Sequence, residues 1–370
     1  MSATGRDQAP APSPSDLAAS LERAAFVRLV SDATGEALAA TGVLARALAA
    51  DDTPFQASVV APFADPDRTT EADVTVALGV GHGSADHTLS ATPAATAFAV
   101  VRALGADPDP VLALAGTVAG GNVDGTVTDA AERAGIDRRP GLAVPVADIA
   151  DGLAHSTRLS APSSGDIEAA RTALAGLDLP ADPTADDRRR VASLVALAVT
   201  ADAPERATET VAAALHPYAG GPFETVGGYA DVLDAVAREA PGTGIALALG
   251  HEGVRENALS AWRTHARHAH GAVANATTGR YDGLFVARGD EMPVGTVARL
   301  VADFHAPEPV TLVVTDGEAA ARATDGRDVA ATMRAATDAV GGSTVGTGER
   351  ARARFDVPTS DLIEAFREAV

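Results

Sequence analysis

Asp32, Thr34 and Glu36 stand at alternate positions in the polar stretch Ser31-Asp-Ala-Thr-Gly-Glu36. Two carboxylates this close can hold one hard cation such as Mn²⁺ or Mg²⁺, because carboxylate oxygens suit both. The other reading is a solvated loop in which Asp32 or Thr34 caps the helix that follows. A second polar group, His82-Gly-Ser-Ala-Asp-His-Thr88, gathers His82, Asp86 and His87; it reads either as a small metal site or as an exposed glycine-rich loop. Near the carboxyl end, Gly341-Gly-Ser-Thr-Val-Gly-Thr-Gly348 offers a backbone that can approach an anion closely and hydroxyls at Ser343, Thr344 and Thr347. Arg350, Arg352 and Arg354 follow at the spacing that puts side chains on one face of a strand. Phosphate contact by Gly341, Gly342, Ser343, Thr344, Arg350 and Arg352 stands against a flexible turn beside a solvated arginine face. His265 and His268 are i, i+3 neighbours on an expected helix, near His251, His270, Arg255, Arg263 and Arg267. They offer a metal pair or a polar helix face, and Trp262 reads as a core anchor.

The elements that must position these groups follow from hydrophobic periodicity. Phe26 to Val30 reads as a buried strand, Ser31 to Glu36 as its loop, and Ala37 to Leu48 as an amphipathic helix. Strands are expected at Phe55 to Ala61 and Asp73 to Leu78, with helices at about Asp16 to Ala24, Ala91 to Leu104 and Pro110 to Ala119. β-Branched strands alternating with helices argue for a mostly parallel sheet, and the loop at Asp32 then lies at a strand carboxyl end, where open α/β sheets bind ligands. From about Thr126 to Leu215 the pattern is helical with proline breaks. A second α/β unit begins near Gly228. Its expected strands are Gly244 to Leu249, Asp282 to Ala287, Val310 to Val314 and Arg350 to Val357. Its helices are Tyr229 to Ala240, Glu252 to Ala276, Val294 to Phe304, Asp328 to Val340 and Thr359 to Ala369. The expected division is a disordered tail over 1–15, an α/β domain over 16–125, a helical connector over 126–227 and a smaller α/β domain over 228–370.

All 29 basic residues are arginine, and the formal net charge is −21. An acidic, lysine-free, alanine-rich chain resembles haloarchaeal proteins, whose dense carboxylate surface stays soluble where salt screens repulsion within roughly 3 Å at 1 M. The charge therefore reports the solvent and neither argues for nor excludes a nucleic-acid partner. The absence of cysteine excludes disulfides, Fe–S clusters and thiolate zinc sites. Neither a membrane-length apolar run nor a signal sequence is present, and a cytoplasmic protein is expected.

The motifs, taken in order, resemble the RecJ-like DHH/DHHA1 phosphoesterase family over most of the chain. The family's opening motif reads Ser/Thr-His-x-Asp-x-Asp-Gly/Ala; Asp32 stands at its histidine, Thr34 and Glu36 at its aspartates. Val74-Thr-Val-Ala-Leu-Gly79 resembles the second motif, with Ala77 in place of the bridging aspartate. Asp86-His87-Thr88 resembles the name-giving Asp-His-His. Ala113 to Gly121 resembles the helix of the last metal aspartate, whose place falls on Gly120 or Gly121. The Gly341 to Gly348 loop resembles the glycine-rich DHHA1 loop that approaches nucleic-acid phosphate, here without its histidine.

The resemblance implies a DHH-like domain, a connector and a DHHA1-like domain. It also implies single-strand nucleic acid, DNA or RNA, as ligand, and replication or RNA-processing proteins as partners, with homo- or hetero-oligomers formed with a RecJ-like paralogue among the options. With so many ligands replaced, the first expectation is a catalytically degenerate protein without a metal cofactor. A second is a Mn²⁺- or Mg²⁺-dependent 5′→3′ exonuclease using Asp32, Glu36, Asp86 and His87. A third is a hydrolase of a small phosphodiester.

Overall fold

The computed structural model describes residues 13–64, 71–79, 85–180 and 183–370. Helix α1 (Pro14–Leu21) starts at Pro14 because Ser13 accepts the Asp16 amide and a proline at the first helical position loses no hydrogen bond. Strand β1 (Val27–Asp32) leads into α2 (Gly35–Ala50). Strands β2 (Phe55–Val60), β3 (Val74–Leu78) and β4 (His87–Leu89) complete a wholly parallel sheet in the order β2-β1-β3-β4. Helices α3 (Pro93–Ala103) and α4 (Pro110–Gly120) follow, each opened by a proline. Val27, Leu29, Val76 and Leu78 turn one face of the sheet onto α2 and a core shared with α3 and α4. That core also takes in the helix Val226–Glu239 and Trp262, which the sequence places beyond the 227/228 division.

The connector is helical, with a small pair of strands, β5 (Asp137–Arg138) and β6 (Tyr218–Ala219). The C-terminal unit is a six-stranded mixed sheet. Its strands are β7 (Thr277–Tyr281), β8 (Leu284–Arg288), β9 (Val310–Val314), β10 (Glu318–Ala323), β11 (Gly342–Thr347) and β12 (Arg350–Phe355), in the order β11-β12-β10-β9-β8-β7. Alternation along β9 shows how it is covered: Val310, Leu312 and Val314 face a core with the helices Val329–Val340 and Thr359–Ala369, while Val313 faces the connector and the helix Val294–Phe304.

Two sequence expectations are corrected and one strand is added. Gly244 to Leu249, expected as a strand, lies in the helix Pro241–Ala248, since a short apolar run fits either buried element and Pro241 supplies a helix start. Gly341 to Gly348, expected as a loop, is mostly the edge strand β11, paired antiparallel with β12. The alanine-rich β10, which no periodicity marked, is a central strand; its small side chains let cores pack on both faces. Among the described residues no helix is long and apolar enough to cross a membrane.

Trp262 is fully buried, and its indole Nε1 donates to Asp231 Oδ2 at 2.8 Å. Thr157 donates to the same carboxylate through its amide (2.9 Å) and hydroxyl (2.5 Å). Trp262→Phe removes one donor from a buried anion and leaves a void. It is expected to lower the unfolding free energy by roughly 2–4 kcal/mol, measured by urea denaturation at constant KCl.

Candidate functional site

Strand β1 ends at Asp32, and Thr34, in extended conformation, caps α2 by accepting the Ala37 amide at 3.3 Å. Thr34 thus plays the helix-cap role weighed for this loop. Asp32 is half-buried against Gly79, where a Cβ would overlap its carboxyl group; Gly79 also has a φ of +117°. Both space and backbone demand glycine there. Ala77 is fully buried in β3 and presents only a methyl group.

Glu36, in the first turn of α2, folds back onto the end of α4. A Cβ on Gly120 would overlap the Glu36 carboxyl, so this carboxyl fills the space that any side chain at 120 would need. Arg350 reaches across from β12 and donates to the Gly120 carbonyl at 2.8 Å. Burial pushes the Glu36 carboxyl up to about 7. The Arg350 guanidinium and the Ala94 amide pull against that rise, and the Asp234 carboxylate adds to it. Among the described residues the buried Oε1 atom of Glu36 has no hydrogen-bond partner.

Asp234, on the helix Val226–Glu239, approaches the same helix start. The Gly35 amide donates to its Oδ1 at 2.6 Å, and Arg238 stands 3.2 Å away. Burial alone would raise the Asp234 carboxyl, but Arg238, Arg299, Arg158 and the Gly35 amide outweigh it and hold the group well below the usual carboxylate range. The arginines are anchored in turn. Arg158 donates to the Val118 carbonyl at 2.8 Å, so it and Arg350 take carbonyls from the negative end of α4. Arg299 donates to the Thr157 carbonyl (2.8 Å) and hydroxyl (2.9 Å). Arg322 pairs with Asp303 at 3.4 Å.

Beside this network lies a cavity of about 830 Å³ between the two sheets. Ala33 and Val59, at or just past the carboxyl ends of β1 and β2, form one wall, and Arg288, Glu318 and Arg352 of the C-terminal sheet form another. Arg238, Glu239, Arg267 and His268 line it from the helices between. Arg352 lies against Gly295, where a Cβ would overlap the guanidinium. Burial and Arg238 push Arg352 down to about 10, opposed by Glu318, Asp234 and Asp32, so it remains a cation near neutral pH.

The sequence-predicted residues separate into groups. Asp32, Glu36, Gly120, Arg350 and Arg352 gather at the junction of the two units. Asp86 and His87 lie elsewhere. Asp86 accepts the Thr75 amide at 2.8 Å, and His87 pairs with Val76, so both sit toward the amino end of the sheet. Thr75 is level with Arg28, four residues before Asp32, which is about 13 Å along the strand. His82 lies outside the described residues. Arg350, Arg352 and Arg354 share one face of β12, with Ala351, Ala353 and Phe355 buried on the other. Ser343 pairs with Arg354 and shares that face; Thr344 points away, its hydroxyl 2.8 Å from that of Thr337. Gly342 approaches the Arg354 carbonyl closely, and Gly341 has a φ of +83° where the helix gives way to the strand. The His265 ring is occupied on both nitrogens, by Glu239 Oε1 (2.8 Å) and Thr296 Oγ1 (2.9 Å). Asp234, Arg238 and Arg299 escaped the sequence reading because polar residues on helices look solvated, and Arg158 because it follows a helix in an irregular segment; the available signal was Asp231 and Asp234 inside an otherwise apolar helical stretch.

Among the described residues no group of three or more His, Asp or Glu can hold a metal ion. The described donors alone do not make up a pair of metal sites, which needs several ligands converging from different strand ends.

The chain is 72% identical over 372 residues to "Uncharacterized protein rrnAC1427" of Haloarcula marismortui, with both chains covered in full. Residues 276–368 match the family described as "Uncharacterized protein rrnAC1427, C-terminal domain". Among solved structures, RecJ of Thermus thermophilus in complex with Mg²⁺ aligns with a TM-score of 0.52 at 15% identity, covering 96% of this chain. The chain spans 50% of that RecJ. CDC45 of Entamoeba histolytica aligns with a TM-score of 0.56 at 8% identity, covering 93% of this chain and 95% of that one. At these identities the likeness shows the fold, which is RecJ-like.

The Glu36 carboxyl has an ordinary value of 4.5 and a folded value of about 7. Through that interval the unfolded chain gives up the proton while the folded chain keeps it. The group's contribution to stability is therefore complete below pH 4.5 and lost as pH rises through 7. Glu36→Gln is expected to remove this dependence. Paired urea titrations should show the wild type losing on the order of 1–3 kcal/mol relative to the variant across the interval.

Proposed function

We propose that this chain, which belongs to the family of the Haloarcula marismortui protein rrnAC1427, is a RecJ-like protein that no longer hydrolyses phosphodiesters. It acts by holding single-stranded nucleic acid, or as a subunit of a replication, repair or RNA-processing assembly. The observation that carries this reading is the contact of Glu36 with Gly120 and Arg350. The acidic group at the opening motif is spent on filling a neighbouring glycine's space beside a guanidinium, and the strand ends around it offer Thr34 as a helix cap and Ala77 as a methyl group. The separation of Asp86 and His87 from Asp32 weighs in the same direction. In support of nucleic acid as ligand, the cavity between the units carries Arg238, Arg267, Arg288 and Arg352, set among the carboxylates Glu239, Asp290, Glu291 and Glu318. A fold shared with a RecJ and a CDC45 supports the same class of partner.

The test is incubation with end-labelled single-stranded DNA and RNA in molar KCl with Mn²⁺. No cleavage above a protein-free blank is expected, and Asp32→Ala leaves that result unchanged. Turnover that Asp32→Ala abolishes overturns the loss of catalysis. Chain purified in the presence of Mn²⁺ is expected to contain no stoichiometric metal.

A further inference from the structure

The carboxylates nearest Arg352 are those of Glu318, Asp234 and Asp32. Asp234 is taken by the Gly35 amide and Arg238, and Glu239 by His265. Asp32 rests on Gly79. The Arg352 guanidinium is fixed against Gly295 and faces the cavity. Arg238 lines the same cavity; its Nη1 pairs with Asp234, and among the described residues its buried Nε has no partner. Arg350, by contrast, is committed to Gly120 and Glu36. The junction thus holds two cations, Arg352 and Arg238, that line a space large enough for a ligand. Of its acidic side chains, Glu318 lies close to Arg352, and Asp290 and Glu291 also line the space.

We infer that guanidinium groups, in place of divalent metal ions, supply the positive charge for the ligand of this cleft, with Arg352 and Arg238 as its phosphate contacts. This inference rests on the nucleic-acid reading and specifies its chemistry. A guanidinium stays protonated under the conditions in which the protein folds, and its planar fork presents paired N–H groups to phosphate oxygens. It neutralises a phosphodiester without generating a metal-bound nucleophile, so the strand is held and left intact. Fixing Arg352 on Gly295 before the ligand arrives reduces the ordering cost of the contact.

The experiment measures fluorescence anisotropy of a labelled single strand of about twelve nucleotides over a KCl series, with EDTA and with Mn²⁺. The wild type is expected to bind with the same affinity in both. Arg352→Met should weaken binding about tenfold and lower the slope of log affinity against log salt by about one. Gly295→Ala keeps the charge but displaces the guanidinium, and should weaken binding as well; thermal unfolding of both variants controls for folding. Binding that requires Mn²⁺ overturns this inference and needs no variant to show it. So does binding that a folded Arg352→Met leaves unchanged. Absence of wild-type binding to DNA and RNA in every condition defeats the nucleic-acid reading itself.

Discussion

Charge buried at a domain junction must be neutralised where it lies, because taking an ion out of water costs several kcal/mol unless a partner and hydrogen bonds replace the solvent. Asp234 is such an ion. Its carboxylate meets the first amides of α2, where the helix carries its positive end, and arginines from its own helix, the connector and the C-terminal unit surround it. Satisfying that one group fixes the relation of four segments distant in sequence. Asp231, one turn earlier, does the same for Thr157 and Trp262.

The opening motif is shaped by this neighbourhood. With Gly120 at the end of α4, the longer Glu36 side chain can fold into the space left open, and Arg350 crosses from the other unit to the adjoining carbonyl. A carboxyl group so placed keeps its proton to far higher pH than an exposed one, and what charge it carries is matched by an arginine. Two-metal chemistry asks for the opposite arrangement: several ionised oxygens turned to a common point. The same strand–loop–helix therefore supports a junction as readily as a catalytic centre, and the residues at its ends decide which.

The C-terminal unit contributes through its covering on both faces. The alanines of β10 let helices pack closely on either side, which holds β12 firm and aims its arginine face at the N-terminal unit. Arg352 is delivered to the cavity by this register, and Gly295 on the facing helix leaves room for it.

Much of this was legible in the chain alone. The apolar run before Asp32, the period-3.6 stretch after Glu36 and the alternation over Arg350 to Phe355 marked β1, α2 and β12, because burial of a face imposes its period on the sequence. Spacing also marked Asp32, Glu36, Arg350 and Arg352 as residues to watch, and the family resemblance marked Gly120. It was silent on Asp234, Arg158 and Arg299, whose importance comes from burial by segments far away in the chain. It misjudged Gly341 to Gly348 because glycine and serine carry little strand preference and β12 had to impose the pairing. Sequence determined the elements and the candidate groups, since local periodicity and backbone freedom are properties of neighbours along the chain. Tertiary structure alone decided that Glu36 lies on Gly120 beside Arg350 and that Asp86 and His87 stand apart, because distance and desolvation exist only once those segments are packed.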